Sequence, residues 1–147
     1  GRQSTRRRRQ HRREQRRVIG GRILDTTALT AAARGSLYMQ ALLSIAHQRV
    51  IPLLVPATAL SDAYADLKTD AAHALSTIAQ FPLLTVAPLD EADARGAGIL
   101  RANVDGEAST TAGHVAYLAA ARQWPVITGD PERLRALYPD IETEALP

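Results

Sequence analysis

Short unbroken apolar runs alternate along this chain with longer stretches of helical spacing. Arg22-Ile23-Leu24-Asp25, Ile51 to Val55, Pro82 to Val86 and Pro125 to Thr128 are runs without polar alternation, and Ile141 to Leu146 is read as a last strand. Runs of this kind read as strands buried on both faces. Between them, Thr26 opens a helical stretch to Arg34 that Gly35 stops. Ser36 is placed to cap a helix through about Gln48, with Tyr38, Leu42 and Ile45 on one face. Thr58 is placed to cap a helix carrying Leu60, Asp62, Tyr64 and Leu67, and Asp70 opens another to about Gln80. Leu89-Asp90 starts a helix to about Val104, Thr111 to Gln123 is an apolar helix with Val115, Leu118 and Ala119 inward, and Pro131 to Tyr138 is a short one. The alternation predicts an α/β fold: a single domain, with a mostly parallel five-stranded sheet and helices on both faces. Ligands of such folds bind beyond the carboxyl ends of the strands.

Charge divides the chain in two. Residues 1–22 hold ten arginines against one glutamate, near +9, whereas residues 23–147 hold eight basic and fourteen acidic residues, near −6. The overall +3 therefore hides a basic segment and an acidic globule. The first seventeen residues have no apolar side chain to bury, so residues 1–21 are expected to form a flexible arginine-rich tail and 22–147 the folded domain. The tail can be a solvated arm, a phosphate-binding arm through Arg6, Arg7, Arg8 and Arg9, or a segment that docks on the acidic face.

The 147 residues suffice for a core, and the absence of cysteine excludes disulfides, thiolate metal sites and a cysteine nucleophile. The longest apolar run, Val50 to Leu60, carries two prolines and cannot span a bilayer, and no apolar segment follows the arginines as in a signal peptide. A cytoplasmic protein without membrane contact is the expectation.

Three carboxylates stand where this architecture places its ligands. Asp25 follows the first strand, Asp62 lies early on the helix after the second, and Asp130 follows the fourth. Each has a plain structural reading: Asp25 and Asp130 precede helices as N-caps, with Pro131 favouring the cap at Asp130, and Asp62 can face solvent. Acids gathered at one edge repel one another unless a cation neutralises them, and hard divalent ions, Mg²⁺ or Mn²⁺, suit oxygen donors. Pairwise gaps of roughly 4–8 Å would fit one or two ions. No glycine-rich phosphate loop is present; Gly96 and Gly98 lie in a helical stretch and read as close-packing positions.

Ile23-Leu24-Asp25-Thr26-Thr27-Ala28-Leu29 resembles the opening strand of PIN domains. Val55-Pro56-Ala57-Thr58-Ala59-Leu60-Ser61-Asp62 resembles their second motif, with aspartate where glutamate is usual, and Val126-Ile127-Thr128-Gly129-Asp130-Pro131 resembles their final strand motif. Ala112-Gly113-His114-Val115-Ala116 is similar to a helix start that reads Asp-Ala-His-Val in actinobacterial members. The ordered set, over about residues 22–146, resembles the VapC-like toxins of toxin–antitoxin pairs. The resemblance implies a Mg²⁺- or Mn²⁺-dependent endoribonuclease, a homodimer, and inhibition by a cognate antitoxin. It implies Asp25 and Asp130 as metal ligands and Asp62 holding a metal water or a second ion, with Thr128 orienting Asp25 or Asp130.

Ala112 departs from the pattern, because alanine stands where the family has its third acid and cannot ligate a metal. Glu107 or Asp105 can substitute, or can be solvated loop residues; His114 can be a ligand or a packed structural histidine. An RNA substrate needs basic rims, for which Arg34, Arg95, Arg101 and the tail are candidates. Two functions follow: a ribonuclease weakened at Ala112, or a catalytically decayed PIN-like module that binds RNA or a protein. A phosphoacceptor receiver is a weak third reading, since the third strand ends in Ala87-Pro88 and the sole lysine, Lys68, lies on a helix.

Overall fold

The computed structural model describes residues 20–147. Arg6, Arg7, Arg8 and Arg9 lie outside the described residues. Five strands run β1 (Arg22–Leu24), β2 (Leu53–Pro56), β3 (Leu84–Ala87), β4 (Val126–Thr128) and β5 (Thr143–Ala145). Seven helices join them: α1 (Thr26–Ala33), α2 (Leu37–Arg49), α3 (Ala57–Asp66), α4 (Thr69–Ile78), α5 (Glu91–Ala102), α6 (Thr110–Arg122) and α7 (Pro131–Leu137). The strands form one sheet in the order β3-β2-β1-β4-β5, and every pair is parallel.

Alternation along the strands splits the core into two layers. Leu24, Leu53, Val55 and Ile127 meet α1 to α4 on one face, through Ala28, Leu29, Met39, Ala59, Ala63 and Leu75. Ile23, Leu54 and Val126 meet the other face, where α6 and α7 bring Val115, Ala116, Ala119, Leu134 and Leu137. Val115, Leu118 and Ala119 are buried as the spacing predicts.

Turn chemistry ends the helices where the sequence signals it. Gly35 takes φ 86, a left-handed turn that stops α1, and Ser36 Oγ accepts the Met39 N–H to begin α2. Tyr38, Leu42 and Ile45 share one face of α2, as the spacing predicts, with Tyr38 and Leu42 half-buried against the core. Met39 and Ala46 are buried, while Ile45 is 45% exposed. Tyr38, Leu42 and Ile45 line an apolar groove of 230 Å³ with Leu53, edged by the Arg22–Glu144 ion pair at 2.7 Å. Burial pushes the Tyr38 phenol up, with Glu144 adding to the rise and Arg22 opposing it. Thr58 is not the cap of α3. The helix begins two residues earlier, after Pro56, and the Thr58 hydroxyl bonds His114 Nδ1 at 2.9 Å.

Gly96 is a close-packing position and Gly98 is not. A Cβ at Gly96 would land on the Tyr117 ring of α6, whereas one at Gly98 would meet nothing within 4 Å. Gly96→Ala is expected to cost about 1–3 kcal/mol by overpacking, read as a thermal midpoint several degrees lower. Gly98→Ala is expected to be neutral or slightly stabilising, since alanine favours the helix. Equal midpoints for the two variants would contradict the α5–α6 packing.

Candidate functional site

The chain order β1, β2, β3 builds one half of the sheet outward from β1, and β4 then returns to the other side of β1. The strand order therefore reverses between β1 and β4, and loops leaving their carboxyl ends diverge and open a crevice. Asp25 leaves β1 there and Asp130 follows β4. Asp62, on α3, and the first turns of α6 close the other side. Together they line a cleft of 420 Å³ with Thr26, Thr27, Asp66, Ser109, Thr111, Ala112 and Arg133.

Asp25 is buried and caps α1: its Oδ1 accepts the Ala28 N–H at 3.0 Å and the Thr27 hydroxyl at 2.6 Å. Thr27 in turn accepts the Gly129 N–H at 2.7 Å. One hydroxyl thus ties the ends of β1 and β4 together and fixes the Asp25 rotamer. The second oxygen, Oδ2, takes no hydrogen bond from the described residues. Thr27 therefore has the orienting role expected of Thr128. Thr128 is buried, and its Oγ1 accepts the Asp130 N–H at 2.9 Å, which sets the loop rather than either carboxylate.

Asp62 is exposed on α3, and its Oδ2 accepts the Thr111 hydroxyl at 2.6 Å. One turn of helix away on each partner, Thr58 meets His114. These two contacts join α3 to the start of α6. His114 is fully buried, so it is a packed residue and not a cleft ligand; its Nε2 lies 3.4 Å from Asp93 Oδ2, without the alignment of a hydrogen bond. Asp130 caps α7 through the Arg133 N–H at 3.4 Å, and its other oxygen lies 3.5 Å from Arg133 Nε.

Ala112 sits on the cleft wall at the third position of α6, below the Ser109 cap, whose Oγ accepts the Ala112 N–H at 3.0 Å. Neither Asp105 nor Glu107 lines the cleft; both are exposed, and Asp105 takes φ 54 in the turn before α6. Among the described residues no three acidic or histidine side chains are gathered closely enough to hold an ion as they stand. The expected close cluster is thus looser than the sequence suggests. Asp130 is engaged by its own helix and by Arg133, and the alanine at 112 offers no oxygen donor.

The fold has solved counterparts. A chain of VapBC2 from Rickettsia felis, bound to a DNA fragment from their promoter, matches 86% of this chain and 98% of its own length, with TM-score 0.68 and 12% identity. A chain of DNA-bound VapBC from Salmonella typhimurium matches the same shares, with TM-score 0.65 and 17% identity. A chain of the FitAcB complex from Neisseria gonorrhoeae has TM-score 0.58 and 18% identity over 83% of this chain and 95% of its own. The fold is PIN-like. No protein-family model matches the sequence, and no curated protein matches it. At these identities the likeness establishes the architecture, and the chemistry rests on the cleft.

Three further cleft residues escaped the sequence reading. Thr27 was legible in principle, as a hydroxyl two residues after a capping aspartate. Thr111 owes its place to a crossing between α3 and α6, and Arg133 reaches Asp130 from the first turn of α7. Of the expected basic rim, Arg34 reaches only the Asp66 carbonyl at 3.5 Å. Arg95 pairs with Glu91, and Arg101 donates to the Ala108 carbonyl. No described helix is long and apolar enough to cross a membrane.

Proposed function

We propose that this chain is the ribonuclease toxin of a toxin–antitoxin pair, dependent on Mg²⁺ or Mn²⁺ and weakened by alanine at 112. The observation that carries the reading is the placement of Asp25, Asp62 and Asp130 on one cleft at the reversal of strand order. The solved chains of the same fold come from VapBC and FitAcB complexes, and this supports a cognate antitoxin as partner. A homodimer remains part of the proposal.

The donor set suits a hard ion that keeps much of its water. Mg²⁺ is commonly held by one or two carboxylates, with waters and phosphate oxygens completing its shell. Asp25 offers Oδ2 and Asp62 offers Oδ1, and Asp130 becomes available when it parts from Arg133. When bound, the ion would acidify a water and polarise the scissile phosphate. The chain's own contribution is positional. Thr27 holds the Asp25 carboxylate against β4, and Thr111 holds Asp62 over the cleft.

Incubating the full chain with bulk RNA and Mn²⁺ or Mg²⁺ tests the reading. Slow cleavage that a chelator stops is expected, and cleavage unaffected by chelation would contradict it. Ala112 supports a second reading, a decayed module retained for binding, under which no metal restores cleavage. The arginine-rich segment is proposed to add sequence-independent phosphate contacts. Deleting residues 1–17 is then expected to flatten the dependence of log K on log salt by about 0.7 per lost contact on single strands. An unchanged slope would assign the segment no part in RNA binding.

A further inference from the structure

We propose that Arg133 is the phosphate-binding residue of the cleft, and that its pairing with Asp130 holds the guanidinium in reserve until nucleic acid arrives. The proposal rests on the nuclease reading and names the group that accepts its substrate. Four aspartates, Asp25, Asp62, Asp66 and Asp130, line the cleft, and a phosphodiester entering it is repelled without a cation. Among the described residues Arg133 is the one lysine or arginine lining it. Of the basic residues the sequence offered for the rim, Arg34 reaches the Asp66 carbonyl, Arg95 pairs with Glu91 and Arg101 donates to the Ala108 carbonyl.

The Arg133–Asp130 contact has the properties of a reversible latch. It is a single approach at 3.5 Å, not a two-pronged pair, and its side chains are 65% and 51% exposed. Exposed pairs of this geometry are weak. The Asp130 cap uses the Arg133 backbone N–H, so α7 keeps its start wherever the guanidinium points. A guanidinium presents parallel N–H groups that match two phosphate oxygens, which one carboxylate oxygen at 3.5 Å does not satisfy. Turning to phosphate therefore improves the arginine's bonding and releases Asp130. Without the guanidinium, Asp130 loses a cation that competes with a metal ion for the same oxygen. The two consequences have opposite signs: removing Arg133 weakens RNA binding and strengthens divalent-ion binding.

The experiment compares the full wild-type chain with Arg133→Ala and Arg133→Lys. A fluorescein-labelled RNA pentanucleotide is titrated with EDTA present so that it stays intact, at salt high enough to weaken the contacts proposed for the arginine-rich segment. Mn²⁺ is titrated separately by calorimetry without RNA. Arg133→Ala is expected to weaken RNA about tenfold and to tighten Mn²⁺ by a few-fold, with Arg133→Lys recovering part of the RNA affinity. RNA affinity within about twofold of wild type in Arg133→Ala would overturn the proposal. The two readings fail separately. Lost RNA binding in a chain that never cleaves would remove the nuclease and leave the phosphate-binding arginine. Unchanged RNA binding in a chain that does cleave would remove the arginine and leave the nuclease.

Discussion

Ala112→Asp is expected to raise metal-dependent RNA cleavage by about tenfold or more. The side chain lies on the wall of the cleft that holds Asp25, Asp62 and Asp130, so an acid there adds a charged oxygen donor where the set is short of one. Its position favours the exchange. Ala112 is the third residue of α6 after the Ser109 cap, where an acidic side chain sits well with the helix dipole and with a capping box. The cost is added repulsion with the aspartates already lining the cleft, which an ion relieves. Mn²⁺ is therefore expected to raise the thermal midpoint of Ala112→Asp more than that of wild type. The measurements are cleavage rate and thermal midpoint over a Mn²⁺ series. No gain in cleavage, together with equal metal response, would show that the missing acid is not what limits the site.

Asp25→Asn is expected to remove cleavage, a loss of at least about a hundredfold. The substitution separates the two tasks of this residue. Asparagine caps helices about as well as aspartate, and its carbonyl oxygen can still accept the Ala28 N–H and the Thr27 hydroxyl. Stability should fall by no more than about 1 kcal/mol, while the negative charge facing the cleft is gone. Thr27→Val is the complementary variant. It keeps the charge but deletes the tie from Gly129 through Thr27 to Asp25, so a smaller loss is expected, about ten- to a hundredfold. Robust cleavage by Asp25→Asn would remove the carboxylate chemistry altogether.

The sheet was legible because its signals are local. Ile23-Leu24 and Val126-Ile127 are apolar without alternation, which only a strand covered on both faces requires, and Gly35-Ser36 spell a stop and a cap in adjacent residues. Where the reading failed, a contact between distant residues decided the outcome. Periodicity put Tyr38, Leu42 and Ile45 on one face of α2 but could not tell that Met39 and Ala46 are the residues it buries fully, or that no described element covers the outer side. Thr58 and Thr128 have hydroxyls suited to the roles the sequence suggested, but His114 and the Asp130 N–H take them.

The acids of the cleft were legible as residues that follow strands, since a parallel sheet sends every such position to the same edge. Their supports were not. Thr111 meets Asp62 across 49 residues of sequence, and Thr27 meets Gly129 across 102. The Arg133 side chain at Asp130 lies close in sequence, but the sequence does not say whether an arginine three residues after a cap faces solvent or the cleft.

The central claim is that the cleft holds a divalent ion on its carboxylates. Calorimetric titration of Mn²⁺ into the full chain, beside Asp25→Asn, measures this without reference to any substrate. The account predicts saturable binding to wild type and its loss in Asp25→Asn, with the fold of both unchanged by circular dichroism. No binding to wild type, or equal binding to both, would contradict it.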